Sequence, residues 1–437
     1  MGASPMRTVD RRSALRGVTP VLPVLLAVGL ALAALHSRGD DERPTAPPDR
    51  SQRANERAEP ANWAPAMLTF VVGVEVWGTT GVGERPHWLL YQDWGLARVE
   101  SPTEIESIQW SPDGKRLVYM ADMSLYEPPS IWQATYSTAD DMTGSPECLC
   151  PVGFRPRLSP DGTLIAVNRP ANVDHLAVSD PRLIVMRLGQ PGADRVTTDY
   201  TPLLERYLSP MFRVEHMDVA WSPSGRVLAT PWLPLVLIDL DNHAAREVDC
   251  GAVPSHPQWS PDGVHLAFAA DPHEGPGSQS DIYAIQPDGT GLTNLTNDPR
   301  EDERPMWSPE GRLIAFLRRQ PEVNREDGPE TPRPTSGEAL SQPFPLPPRY
   351  YYAIWVMNAD GTDQRQLTPE VGTDEDPAWS PDGRWIAYKT EEFPPDEDRL
   401  WVVGIDGSAP QEVAADLHGI GARAWRPGMV PTSEKGE

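Results

Sequence analysis

The chain has 437 residues, 39% of them hydrophobic and 23% charged, which is enough apolar content for a packed core and too much for wholesale disorder. At about 100–200 residues per domain, that length holds two or three ordinary domains or one large repeat domain. The net charge of −25 repels nucleic acid and anionic lipid head groups, so a DNA- or RNA-binding role is disfavoured on electrostatic grounds.

Residues 1–17 form a basic tail, with Arg7, Arg11, Arg12 and Arg16 against one acid, Asp10. The run Val18–Leu35 that follows has no charge, and its 18 residues rise about 27 Å as a helix, close to the ~30 Å of a bilayer core. Residues 18–36 are therefore expected to be a single transmembrane signal-anchor. Basic residues on the N-terminal side keep that end in the cytoplasm and export the rest of the chain. A cleaved signal peptide is the alternative and would leave a secreted or periplasmic protein. Residues 37–63 are polar and Pro-containing and read as a flexible linker.

From residue 64 onward one unit repeats. Trp-Ser-Pro-Asp-Gly stands at Trp110–Gly114, Trp259–Gly263 and Trp379–Gly383, with variants at Leu158–Gly162, Trp221–Gly225 and Trp307–Gly311. Successive motifs lie 48, 63, 38, 48 and 72 residues apart, a near-constant unit with insertions. Ser-Pro-Asp-Gly is a tight turn: proline presets φ, aspartate caps the backbone, and glycine takes the left-handed position. A short apolar strand follows each turn. The better copies add a third strand (Ile282–Ile285, Ile354–Met357, Leu400–Val403) that turns on a second Asp-Gly, then a fourth. Four antiparallel strands per ~45 residues, repeated radially, form a β-propeller blade. The motif tryptophans are expected to pack between blades.

The ends set the blade count. Ala424–Gly428 reads as a seventh motif with no strands after it, and Met67–Val72 near the start reads as a second strand. His87–Tyr91 and Gly95–Glu100 read as the third and fourth strands of the same blade. The expected fold of residues 64–437 is thus all-β, a seven-bladed propeller whose C-terminal strand pairs with the N-terminal ones and removes both free edges. Six blades is the alternative if Trp425 belongs to a tail.

The pattern best matched at Ile282–Phe316 and Ile354–Tyr388 resembles the TolB-type, WD-like propeller repeat. The resemblance spans roughly residues 64–428 and implies the fold rather than a function. TolB itself carries an α/β domain before a six-bladed propeller, whereas the segment ahead of this propeller reads as an anchor and a tether. Similar repeats precede the hydrolase domain of prolyl oligopeptidases, but no Gly-x-Ser-x-Gly elbow occurs here.

Loops joining strands two to three and four to one share one face. Insertions fall there at Asn168–Asp180, at Asp199–Ala220 with a short amphipathic helix expected, and at the proline-rich Gln320–Pro348. Acidic residues crowd the same face, and Asp298, Asp302, Glu303, Asp374, Glu375 and Asp376 are the candidate binding residues. Asp302 and Asp374 stand five positions before Trp307 and Trp379 and so should be equivalent on adjacent blades. Such a rim suits a basic protein partner, and its oxygen ligands could also meet Ca²⁺, although no EF-hand spacing occurs. His216, His256 and His273 are expected on loops of that face, without a zinc spacing. Cys148 and Cys250 are expected on the outer strands of separated blades, with no disulfide between them.

The leading functional expectation is a membrane-anchored, extracytoplasmic scaffold that binds a protein partner at the cell envelope, without catalysis, cofactor or metal. The alternative is a carbohydrate-binding protein or carbohydrate-active enzyme that uses the channel face. A glycosidase would show a carboxyl pair ~5–9.5 Å apart beside an aromatic platform.

Overall fold

The structure is a computed structural model. It describes residues 66–72, 75–82, 86–90, 104–122, 128–136, 145–174, 177–188, 197–207, 218–231, 234–272, 279–320, 351–369, 373–391, 399–413 and 420–427. The expected basic tail, transmembrane segment 18–36 and linker 37–63, and residues 321–348 of the proline-rich insertion, lie outside these residues. Among the described residues no helix is long and apolar enough to cross a membrane.

Seven antiparallel sheets of four strands each follow one another along the chain. Blade two comprises β4 (Glu104–Trp110), β5 (Arg116–Asp122), β6 (Ser130–Thr135) and β7 (Glu147–Cys150). Blade three holds β8 (Phe154–Leu158), β9 (Leu164–Asp174), β10 (Ala177–Arg187) and β11 (Thr197–Asp199). In blade four come β12 (Ala220–Trp221), β13 (Val227–Thr230), β14 (Leu235–Asp239) and β15 (Ala244–Val248). Blade five is built of β16 (Val253–Trp259), β17 (Leu266–Asp271), β18 (Asp281–Ile285) and β19 (Thr293–Asn294). The next contains β20 (Asp302–Trp307), β21 (Leu313–Gln320), β22 (Tyr351–Asn358) and β23 (Arg365–Gln366). Blade seven ends the series with β24 (Thr373–Trp379), β25 (Trp385–Glu391), β26 (Arg399–Gly404) and β27 (Gln411–Val413).

Blade one is assembled from both ends of the chain. Its strands β1 (Met67–Val72), β2 (Glu75–Thr79) and β3 (His87–Leu90) take β28 (Ile420–Arg426) as the innermost member. The register sets Leu68 opposite Trp425 and Thr69 opposite Ala424. Ring closure is therefore as the motif arithmetic requires, and the count is seven. The strand assignment within this blade differs from expectation. Glu75–Thr79 is the third strand and His87–Leu90 the fourth, while 95–100 lies outside the described residues. The Glu75–Thr79 strand was hidden because it is only five residues long and runs into the Gly/Thr-rich stretch 78–83.

Each turn is closed the way its sequence dictates. At Ser111–Gly114 the Gly114 amide donates to the Ser111 carbonyl at 2.8 Å, and the Arg116 amide donates to Ser111 Oγ at 2.9 Å. Gly114 sits at φ 64°, where a Cβ would also meet the Pro427 carbonyl at 2.9 Å. The other motif turns repeat this pattern, with glycine φ between 66° and 74°.

One apolar core lies between every adjacent pair of blades, seven in all. The motif tryptophans wedge into these cores, and several hook the preceding blade by the indole N–H. Trp221 donates to the Arg157 carbonyl at 2.9 Å, Trp379 to Met306 at 3.2 Å and Trp425 to Ala378 at 3.0 Å. Trp110 instead donates to Thr69 Oγ1 at 3.0 Å, and Thr69 donates onward to the Ala424 carbonyl at 2.7 Å.

Two insertions differ from the loops expected. Asn168–Asp180 belongs to a hairpin of two eleven-residue strands, because β9 and β10 keep pairing out to Asp174 and Ala177. The amphipathic segment after Asp199 forms two single 3₁₀ turns, Thr201–Leu203 and Glu205–Tyr207. No disulfide joins the three cysteines.

Trp425 both fills a core and holds the closure strand. Trp425→Ala should cost about 3–5 kcal/mol in denaturant unfolding of the full chain. It should cost more than Trp259→Ala, because Trp259 Nε1 has no hydrogen-bond partner among the described residues.

Candidate binding site in the central channel

The innermost strand of each blade faces the ring axis, and together these strands line a cavity of 1090 Å³. In four blades that strand carries a β-bulge at an X-Pro pair: Arg155-Pro156, His256-Pro257, Arg304-Pro305 and Asp376-Pro377. The residue before each proline is left-handed, with φ of 46°, 49°, 53° and 43°, a conformation uncommon outside glycine. Proline contributes no N–H, so the ladder loses nothing at the bulge.

All four residues stand three positions before the first motif residue, a tryptophan in three of the blades and Leu158 in blade three. Ser107 and Asp218 occupy the same position in blades two and four, and blade one supplies Arg423 from the next position. The result is a ring of polar side chains at one level of the channel. Asp218 bridges two arginines, with its carboxyl oxygens 2.9 Å from Arg155 Nη1 and 2.8 Å from Arg157 Nη2. Across the ring Arg304 pairs with Asp376, whose backbone carbonyl accepts from Arg423. Burial alone would raise the Asp218 carboxyl, but Arg157 and Arg155 outweigh it and hold the group below its ordinary range. Burial lowers the His256 imidazole; Asp218 draws it up, and Arg304, Arg155 and Arg157 push it back down. His256 is thus neutral at pH 7, and its 3.9 Å approach to Asp218 is then no ion pair. On blade two, between the blades that carry Arg423 and Arg155, Glu106 and Asp122 line the channel and hydrogen-bond each other, and Asp122 is raised mainly by burial.

The acidic residues singled out from sequence are not gathered into one site, although Asp298 and Asp302 share Arg318 as a partner. Asp302 is fully buried and clamped by Arg318, with Nε–Oδ1 at 2.6 Å and Nη2–Oδ2 at 2.7 Å. Asp298 pairs with Arg300 and reaches Arg318 at 3.2 Å. Glu303 is half-buried beside Glu301 and Tyr352, and burial raises its carboxyl. Asp374 occupies the position equivalent to Asp302, as expected, but its partners are the hydroxyls of Thr368 and Thr390. Glu375 lies on β24, and its side chain is outside what is described. Only Asp376 reaches the channel. Among the described residues no group of three or more His, Cys, Asp or Glu could hold a metal ion. His256 lies on β16 and not on a loop, because the bulge turns it to the axis, while His216 and His273 lie outside the described residues. Arg155, Arg157, Asp218, Arg304 and Arg423 were not foreseen. The signal that finds Arg155, Asp218 and Arg304 is the offset of three before the first motif residue, and for Arg423 it is two, while Arg157 stands directly before Leu158.

No family model matches the chain. It is 30% identical over 140 residues to an uncharacterized peptidase, YuxL, of Bacillus subtilis, a match covering 30% of this chain and 21% of that protein. An uncharacterized protein of Agrobacterium fabrum, Atu1656, is 24% identical over 304 residues, covering 66% of this chain and 85% of the relative. Among solved structures, TolB from Acinetobacter baumannii is similar at a TM-score of 0.46 and 17% identity, covering 84% of this chain and 68% of that one. The chain spans only about a fifth of the length of the B. subtilis relative. Its repeats also resemble those of TolB 1 of Novosphingobium aromaticivorans, 33% identical over 100 residues and covering 23% of this chain and 16% of that one, while the fold here is a seven-bladed propeller.

Two pH measurements test these electrostatics. His256 should titrate below 6.5 by imidazole NMR, and Asp218→Asn should lower its midpoint further by removing the carboxylate that draws it up. The Asp374 carboxyl is pushed up to about 7 by burial, above the ~3.9 of an unfolded aspartate. The folded state therefore holds the extra proton between those values, and stability falls as pH rises through that window. Asp374→Asn should abolish the fall and raise stability above pH 7 by roughly 1–4 kcal/mol in denaturant titrations from pH 4 to 8.

Proposed function

We propose that the chain is a membrane-tethered, extracytoplasmic propeller that binds a segment of a protein partner in its central channel and catalyses no reaction. The observation that carries this reading is the channel itself, 1090 Å³ lined from all seven blades by polar side chains, several of them charged. Such a concave, multi-element site with a few placed polar groups is what ligand recognition requires. The tether rests on the uncharged run Val18–Leu35 with its basic flank. A glycosidase has no foothold in the Glu106–Asp122 pair, because two carboxyls in hydrogen-bond contact are closer than the ~5–9.5 Å that either stereochemical course needs.

Site-specific photo-crosslinking in native membranes tests the proposal. A benzophenone at Ser107, on the channel wall, should capture one protein partner, while the same group at the exposed outer position Thr290 should not. Capture from Thr290 alone, or turnover of a substrate by the purified full chain, would sink it.

A further inference from the structure

A second cavity opens between blades four and five, on the face that carries the motif turns, and shares no residue with the channel. It measures 520 Å³, within the ~300–1,000 Å³ of sites that take small molecules. Small side chains leave the space open. Position 227 is valine where blade two has Arg116, whose guanidinium crosses to the next blade and donates to the Gly162 carbonyl at 2.8 Å. The outer strand β15 contributes Ala244 to the wall, and the half-buried indole of Trp259 forms the side that belongs to blade five.

Polar groups of both signs border this apolar wall. They are the carboxylates of Asp239 and Asp262 and the guanidinium of Arg246, which also donates to the Pro287 carbonyl. Hydrogen bonds from the Asn242 amide and side chain hold the Asp239 carboxyl below its ordinary range, and those from Ser260 and Val264 do the same for Asp262. Both carboxyls are thus ionised at pH 7 and can only accept hydrogen bonds. An anion entering the cleft meets two carboxylates, and a cation meets a guanidinium. An uncharged molecule with several hydroxyls and an apolar face satisfies all three groups and covers the indole as well.

We propose that this cleft binds a neutral saccharide, with a sugar ring stacked on Trp259 and its hydroxyls shared among Asp239, Asp262 and Arg246. The site binds and does not cleave, because glycoside hydrolysis needs one carboxyl that holds a proton, and neither of these does. The inference stands apart from the channel and does not rest on the partner proposed there.

The test titrates the full chain, in a detergent without a sugar head group, with methyl glucoside, methyl galactoside, cellobiose and N,N′-diacetylchitobiose. Butylammonium chloride and sodium glucuronate are the charged comparators. Calorimetry and saturation-transfer NMR of the ligand read the binding. A neutral saccharide of this set should bind saturably, at least tenfold more tightly than either charged probe and with little dependence on salt. Val227→Arg should weaken it at least tenfold, because it gives blade four the side chain that blade two places across the same gap. Asp262→Ser should weaken it severalfold. Blade four already closes its turn with serine at that position, the Gly225 amide donating to the Ser222 carbonyl at 2.8 Å, so this variant keeps the fold. Arg312→Gln, on the exposed turn of blade six, should change nothing. Melting curves check that each variant folds. Failure of every saccharide in the set to bind saturably, indifference to Val227→Arg, or a charged probe binding as tightly as the best saccharide would overturn the proposal. Capture of a partner from Ser107 is read independently, so neither result decides the other.

Discussion

The structure depends on one strand finding its place: β28, the last of the chain, pairs with β1, the first. Every other blade is built from consecutive sequence and could form locally from its own hairpins. Blade one cannot, because its innermost strand comes from about 350 residues away, Thr69 to Ala424. That pairing removes the two exposed edges an open seven-sheet array would present. It is reinforced on both flanks. Trp425 hooks blade seven through the Ala378 carbonyl, and Arg426 reaches blade two, donating to the Gly114 carbonyl at 2.8 Å with its guanidinium 4.6 Å over the Trp110 ring. The same strand delivers Arg423 to the channel, so closing the ring and completing the site are one event.

The inner strands perform two tasks that compete for the same residues. Toward the blade interfaces they must present the tryptophan and a flat ladder, and toward the axis they must present side chains of chosen chemistry. A regular strand fixes both by its period of two. The X-Pro bulge separates them, since one extra residue resets the alternation and aims Arg155, His256, Arg304 and Asp376 inward while the motif aromatic stays in its core. The fold can therefore vary the chemistry at that position from blade to blade without disturbing the interfaces, and its sequence does so, with serine, arginine, aspartate and histidine at equivalent places.

The repeat made the fold legible. Turn chemistry, motif spacing and an orphaned seventh motif were sufficient for seven blades, ring closure and the intercalated tryptophans. The site was not legible in the same way, because sequence displays charges but not their partners. Asp302 looks like an exposed acid in an acidic run, yet the hairpin sets it directly opposite Arg318, sixteen residues on, and buries both. Asp374 takes the equivalent place with threonines as partners and keeps a proton instead of an ion pair. The channel ring escaped notice for a different reason. Strict alternation assigns inward and outward faces only up to a bulge, and a proline at that point reads as a strand ending rather than as a residue that re-aims its neighbour.

The buried Arg318 shows why the acidic surface and the basic channel coexist. Its guanidinium is 2% exposed, held by Asp302, Asp298 and Gln364 and stacked 4.6 Å from the Trp355 ring. An arginine so placed is fully neutralised, and a pair of this kind contributes little net stability while its rupture costs a great deal. The arginines of the channel differ in kind. They line a shared cavity, and their ion pairs cross blade boundaries. Arg155 and Arg157 of blade three meet Asp218 ahead of blade four, and Arg304 of blade six meets Asp376 of blade seven. Arg318 meets Asp302 within one hairpin, so that pair fixes a blade, whereas the channel pairs tie one blade to the next. The acidic residues conspicuous in the sequence mostly serve the blade itself, and the charges that converge from several blades are those of the channel, where we place the proposed partner.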